Sequence, residues 1–234
     1  MALILSIETS TSVLSVALAR GGEVLQYKEI DSQNSHSEYI TLFIQEVMEK
    51  SGCSLNDLDA VAVSEGPGSY TGLRIGVSTA KGLCYSKNIP LIAVSTLQSI
   101  AFGMAQESKK SSDEETLFCP MIDARRMEVY AAFYDVNNKE IRGVSADIIN
   151  EKSYQEYLGE RKVVFAGNGA DKCQDTIMSE NAIFDTDIKT SARYVAHIAE
   201  NHFNNNTFVD VAYFEPFYLK AYIAGKLRVK GLYS

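Results

Sequence analysis

Clustered cysteines are absent from this chain. Its four cysteines, Cys53, Cys84, Cys119 and Cys173, stand far apart with no Cys-x-x-Cys pair. Structural zinc needs clustered ligands, so reduced, buried thiols in a cytoplasmic protein are expected. Positive charge is also short: 22 Lys and Arg face 30 Asp and Glu, a net charge of −8. A dedicated nucleic-acid binder is usually basic, because phosphate neutralisation dominates its affinity. Any RNA contact is therefore expected to be local or made beside a partner. No apolar run reaches bilayer length, and no membrane role is expected. The start, MALILSIETS, lacks a basic n-region and carries Glu8 early, so it does not read as a signal peptide. Histidine is scarce. His197 and His202 lie five apart, about 140° around a helix, and do not converge on a metal. His36 reads as a first-turn helix residue.

Apolar residues make up 46% of the 234, enough for a core in one large domain or two small ones. Residues 2–7, 13–19 and 23–30 read as strands. A capping box, Ser35 with Glu38, opens a helix whose Ile40, Phe43, Ile44, Val47 and Met48 share one face, and Gly52 stops it. Strand 59–63, a helix over 70–87, strand 91–94 and a helix to 105 follow. The polar stretch 106–116 is a linker. The second half repeats the order: strands 117–123, 127–135 and 140–147, a weak helix at 153–158 and strand 162–166. Helix 170–179, strand 182–184 and helix 190–203 complete it. Two α/β lobes are predicted, 1–105 and 117–234, each a mixed sheet flanked by helices. This order resembles the duplicated ribonuclease-H-like lobes of the actin-like ATPase superfamily. The second lobe ends in a basic tail with Lys220, Lys226, Arg228 and Lys230.

The most informative stretch is SEGPGSYTGLRIGVSTAKGL, residues 64–83. Gly66, Pro67 and Gly68 read as a turn. The spacing misses the dinucleotide fingerprint by one residue, and no Gly-Lys-Ser/Thr closes a Walker loop. Gly68, Gly72, Gly76, Ala80 and Cys84 recur every four residues along the helix. Glycine inside a helix costs about 0.5–1 kcal/mol relative to alanine, so close backbone approach is expected along this face. Two readings stand: packing within the chain, or a seam with a partner subunit. The seam would use Gly72, Gly76 and Ala80 together with Ile40, Phe43, Ile44 and Val47.

The string GPGSYTGLRIG after AVAVS resembles the TsaB (YeaZ) family, dimerisation subunits of the bacterial tRNA threonylcarbamoyladenosine complex. LSIETSTSVLSVAL, NSHSEYI, PLIAVSTLQ, DARRMEVYAAFY and EPFYLK agree in order, so the resemblance covers nearly the whole chain. It implies a non-catalytic scaffold for threonylcarbamoyl transfer to the adenosine beside the anticodon. The implied partner is a transferase paralogue (TsaD-like), met through helices of the N-terminal lobe. A separate enzyme makes the donor, a small ATPase (TsaE-like) joins the assembly, and tRNA is met indirectly. A homodimer of the free subunit stays open. The partner uses a metal and other members use ATP, while this chain is expected to need no cofactor. In the paralogue a histidine pair binds the metal just after the strand equivalent to 91–94. Thr96 and Ile100 fall at those positions here, and neither replaces an imidazole.

Actin-like ATPases hold phosphates on two hairpin turns, which need small residues so that backbone N–H groups reach the anion. Here the turns read Glu8-Thr9-Ser10-Thr11-Ser12 and Asp123-Ala124-Arg125-Arg126, without glycine. A residual nucleotide or anion site at Glu8, Thr9, Ser10 and Asp123 is the expectation, with Glu8 and Asp123 able to hold hydrated magnesium. An actin-like ATPase or small-molecule kinase is the alternative reading. A peptidase would need a metal or a nucleophile–base pair, and the sequence offers neither.

Overall fold

The computed structural model describes residues 1–32, 36–107 and 115–220. Two five-stranded mixed sheets share one topology. In the first, β1 (Leu3–Glu8), β2 (Val13–Arg20) and β3 (Glu23–Asp31) form an antiparallel meander. Strands β4 (Ala60–Gly66) and β5 (Leu91–Ser95) add in parallel on the other side of β1, giving the order β3-β2-β1-β4-β5. The second sheet repeats this with β6 (Leu117–Asp123), β7 (Glu128–Tyr134), β8 (Glu140–Ile148), β9 (Val163–Ala166) and β10 (Ala182–Asp185), in the order β10-β9-β6-β7-β8. Strand β1 is LILSIE, buried throughout, as a central strand covered on both faces must be. Strand β3 alternates exposed and half-buried residues, as an edge strand does.

Helices α1 (His36–Ser51) and α2 (Tyr70–Lys87) cover the outer face of the first sheet. On its inner face lies α5 (Ala192–Asn204), whose Val195, Ile198 and Ala199 meet Ile4, Ala62 and Val94. Helix α3 (Thr96–Glu107) puts Leu97, Ile100 and Met104 against Phe118, Ile122 and Val164 of the second sheet. The expected division at 105 and 117 therefore separates the sheets but not the helices. Helix α3 comes from the first half and packs on the second sheet, and α5 does the reverse. The chain after α5 also returns to the first lobe. Val209 donates its N–H to the Leu91 carbonyl at 3.0 Å, and Val211 and Phe214 pack on the first core.

Over 170–179 only a short 3-10 turn forms, Asp171–Cys173. Cys173 and Ile177 are the buried apolar anchors there, and one turn plus a loop suffices to bury both. The helix near 153–158 shortens to α4 (Gln155–Leu158). Ser35 of the capping box, most of the linker, and Lys226, Arg228 and Lys230 lie outside the described residues. Among those described, no helix is long and apolar enough to cross a membrane.

Candidate functional site

Ser69 caps α2, its Oγ accepting the Gly72 N–H at 3.2 Å. The small-residue face then turns inward: Gly72, Gly76, Ala80 and Cys84 are all buried. A β-carbon built on Gly72 would strike the Thr9 carbonyl oxygen, and one on Gly76 would strike Thr9 Oγ1. The glycines let the β1–β2 turn press against the helix backbone. On α1, Ile40, Phe43, Ile44 and Val47 are likewise buried in the first core. The expected seam residues thus face their own chain. Helical periodicity marks the face to be covered and does not say what covers it. The outward faces carry different residues. Tyr39 and Leu42 stand out from α1, Leu42 at 53% exposure. On α2, Tyr85 is 86% exposed, and Gly82 has open space beside it.

The two hairpin turns face one cleft between the lobes, of about 1140 Å³. Ser10, Thr11 and Ser12 line one wall with His36 and the first turn of α2. Asp123, Arg125 and Arg126 line the other. Phe217, Tyr218 and Lys220 close one side. This last wall escaped the sequence reading, although EPFYLK, which supplies it, stood out as a family string.

Of the four expected site residues, only Ser10 and Asp123 border the cleft. Glu8 is fully buried beneath the turn. Its Oε1 accepts the Ser10 N–H at 2.6 Å, and Oε2 has no hydrogen-bond partner among the described residues. Burial pushes the Glu8 carboxyl above the ordinary carboxylate range, against the Ser10 contact that favours the anion. Sealed in this way, Glu8 does not reach the cleft to hold hydrated magnesium. Thr9 is also buried, under α2. Asp123 is engaged by the Lys172 ammonium. Lys172 also donates to the carbonyls of Arg126 at 2.6 Å and Glu128 at 2.7 Å, pinning the second turn. Arg125 and Arg126 there adopt left-handed backbone, at φ 71° and 49°. Non-glycine residues rarely do so.

His36 is 93% buried in the cleft wall, at 7% exposure. Its Nε2–H donates to the Thr11 carbonyl at 2.8 Å, and the buried Nδ1 has no partner among the described residues. His197 instead stacks on Phe102, with ring centroids 4.4 Å apart. Thr96 and Ile100 are both buried at α3, where Ile100 fills the core between helix and second sheet.

The family described as tRNA N6-adenosine threonylcarbamoyltransferase (TsaD) matches residues 29–215. The TsaB tRNA threonylcarbamoyladenosine biosynthesis protein of Escherichia coli (strain K12) is 34% identical over 233 residues, covering 95% of this chain and 96% of that one. The tRNA N6-adenosine threonylcarbamoyltransferase of Bacillus subtilis (strain 168) is 36% identical over 107 residues, 39% of this chain and 31% of its own. Among solved structures, YeaZ from Pseudomonas aeruginosa superposes with a TM-score of 0.80 at 24% identity, covering 94% of this chain and 100% of that one.

Proposed function

This chain belongs to the TsaB family of tRNA threonylcarbamoyladenosine biosynthesis proteins, and from that premise we propose that it is the accessory subunit that pairs with a TsaD-like transferase and carries no catalytic centre of its own. The observation that carries this reading is the outer layer of the first lobe. The inner faces of α1 and α2 are spent on the chain's own sheet, yet Tyr39, Leu42 and Tyr85 remain exposed on their outer faces. Exposed aromatic and aliphatic side chains on adjacent helices suit a helix–helix interface with a partner. A paralogue offering the same pair of helices would complete a four-helix layer. The free subunit would form a homodimer through the same face, and a TsaE-like ATPase would be met only in the assembly.

Two features support the absence of a catalytic centre. Thr96 and Ile100 are absorbed into packing where the resembling transferase carries its metal-binding histidines. Glu8 lies beneath the first turn, which weighs against the ATPase or kinase reading. The subunit is taken to work in the cytoplasm without a cofactor. The experiment is co-purification of the full chain with its own cell's transferase. Co-elution that is lost on Leu42→Asp supports the reading, and failure of the wild-type chain to pair overturns it.

A further inference from the structure

The chain after α5 runs along the first lobe and then crosses the cleft. Its path on the first lobe is fixed at each step. Val209 bonds the Leu91 carbonyl, and the Lys81 ammonium donates to the carbonyls of Ala212 and Phe214. The Phe217 N–H then bonds the Glu65 carbonyl at 2.7 Å. Beside it Gly66 has φ 116°, and a β-carbon there would strike the Phe217 carbonyl oxygen. Only glycine suits that seat. The next ring, Tyr218, meets Tyr70 at 4.9 Å between centroids. Arg74 lies over the Tyr70 ring at 4.3 Å, with its Nε 3.4 Å from the Tyr218 hydroxyl. Both residues belong to the first turns of α2.

Lys220 leaves this anchored path and pairs with the Glu128 carboxylate on the opposite lobe. Glu128 opens β7 directly after the second hairpin turn, and its carbonyl accepts from the Lys172 ammonium and the Ala124 N–H. The ion pair thus joins the strap to a fixed point across the cleft. Its side chains are 42% and 22% exposed. A pair this open to water is weak and is screened by salt. The first-lobe seat combines backbone hydrogen bonds with a packed aromatic pair and does not share that weakness. The strap therefore lets go at Lys220 first. Elsewhere the lobes are joined more firmly. The buried hydroxyls of Thr11 and Thr190 bond at 2.7 Å, and α3 packs on α5.

We propose that residues 217–220 are a latch across the interlobe cleft, seated permanently on the first lobe and closed onto the second by the Lys220–Glu128 pair, so that the cleft opens when that pair breaks. The joined α3 and α5 side is the pivot. The latch holds whether or not the chain pairs with a transferase.

The test uses the full chain with nitroxide labels at Thr41→Cys on α1 and Asp175→Cys in the second lobe, both exposed sites, in a Cys53→Ser background. The other cysteines are buried. Labelled chain is diluted into unlabelled chain, so that pulsed electron spin resonance reads distances within one molecule. Lys220→Met and Glu128→Gln should each raise the long-distance population by about two- to fivefold, the range set by an exposed ion pair. The double variant should open the cleft no further than either single one, because both remove the same pair. Lys220→Arg should keep the wild-type distribution. Added salt should shift the wild-type chain toward long distances and leave the double variant unmoved. Unchanged distances in both single variants, with circular dichroism matching wild type, overturn the proposal. So does a double variant whose shift is the product of the two single ones, since Lys220 and Glu128 would then act apart. Should a variant fail to fold, the wild-type salt series decides alone, and distances that stay fixed across it overturn the latch.

Discussion

Thr9 Oγ1 fills the space that a side chain on Gly76 would need. The glycine helix and the first hairpin turn are therefore one packed unit. The Ser69 N–H bonds the Ser10 carbonyl at 2.6 Å and ties the same turn to the start of α2. The inner face of α2 thus braces the cleft, while its outer face exposes Tyr85.

Gly76→Leu should destabilise the isolated chain. The new side chain meets Thr9, not a partner, and overpacking of this kind costs about 1–3 kcal/mol. A thermal midpoint lowered by roughly 2–12 °C is expected, at about 2–4 °C per kcal/mol for a chain of this size. An unchanged midpoint in a scanning-calorimetry trace would sink the intramolecular account.

Leu42→Asp and Tyr85→Ala should leave the midpoint nearly unchanged, since both side chains are exposed and such substitutions usually stay within about 0.5 kcal/mol. Each should weaken transferase pairing by roughly tenfold, about 1.4 kcal/mol. Surface plasmon resonance against the purified transferase decides it. Wild-type affinity in both variants would place the interface on another face.

Glu8 makes stability depend on pH. Its carboxyl is raised above 4.5 in the folded protein by burial, so folding favours its protonated form. That contribution is fully present below about pH 4.5 and is lost as pH rises through the folded value. Glu8→Gln removes the charge and should raise the urea midpoint at pH 7.5 relative to wild type, with the gap closing at pH 4. A gap that widens on acidification would show that Glu8 is held as the anion.

The isolated subunit should bind ATP weakly and hydrolyse none, because Glu8 is sealed and Asp123 is occupied by Lys172. Isothermal calorimetry and a phosphate-release assay check both halves. Micromolar binding with turnover that is abolished by Asp123→Ala would revive the ATPase reading.

The segment after α5 is clamped by Lys81, whose Nζ donates to the Ala212 and Phe214 carbonyls, each at 3.0 Å. Lys81→Met should speed hydrogen exchange over residues 211–217, where the Phe217 N–H bonds the Glu65 carbonyl at 2.7 Å. The expected loss is about 1 kcal/mol for bonds that are partly solvated. Exchange at the wild-type rate would mean that the segment is held by Val211 and Phe214 alone.

Much of this molecule is local and was therefore legible. The alternation of β3, the buried runs of β1 and β4, and the breaks at Gly52 and Asn88-Ile89-Pro90 set elements through residues near one another in the chain. Repetition of their order was enough to expose the duplicated lobe, and the glycine string and its companions marked the family. The four-residue stripe on α2 announced that something approaches closely. Only the tertiary structure decided that the approaching group is Thr9, that α3 and α5 cross between lobes, and that Glu8 lies under the cleft while Arg125, Arg126 and His36 border it. A sequence pattern fixes which face of an element must be covered. What covers it depends on contacts between residues such as Thr9 and Gly76, or Lys81 and Ala212, that are brought together by the path of the whole chain.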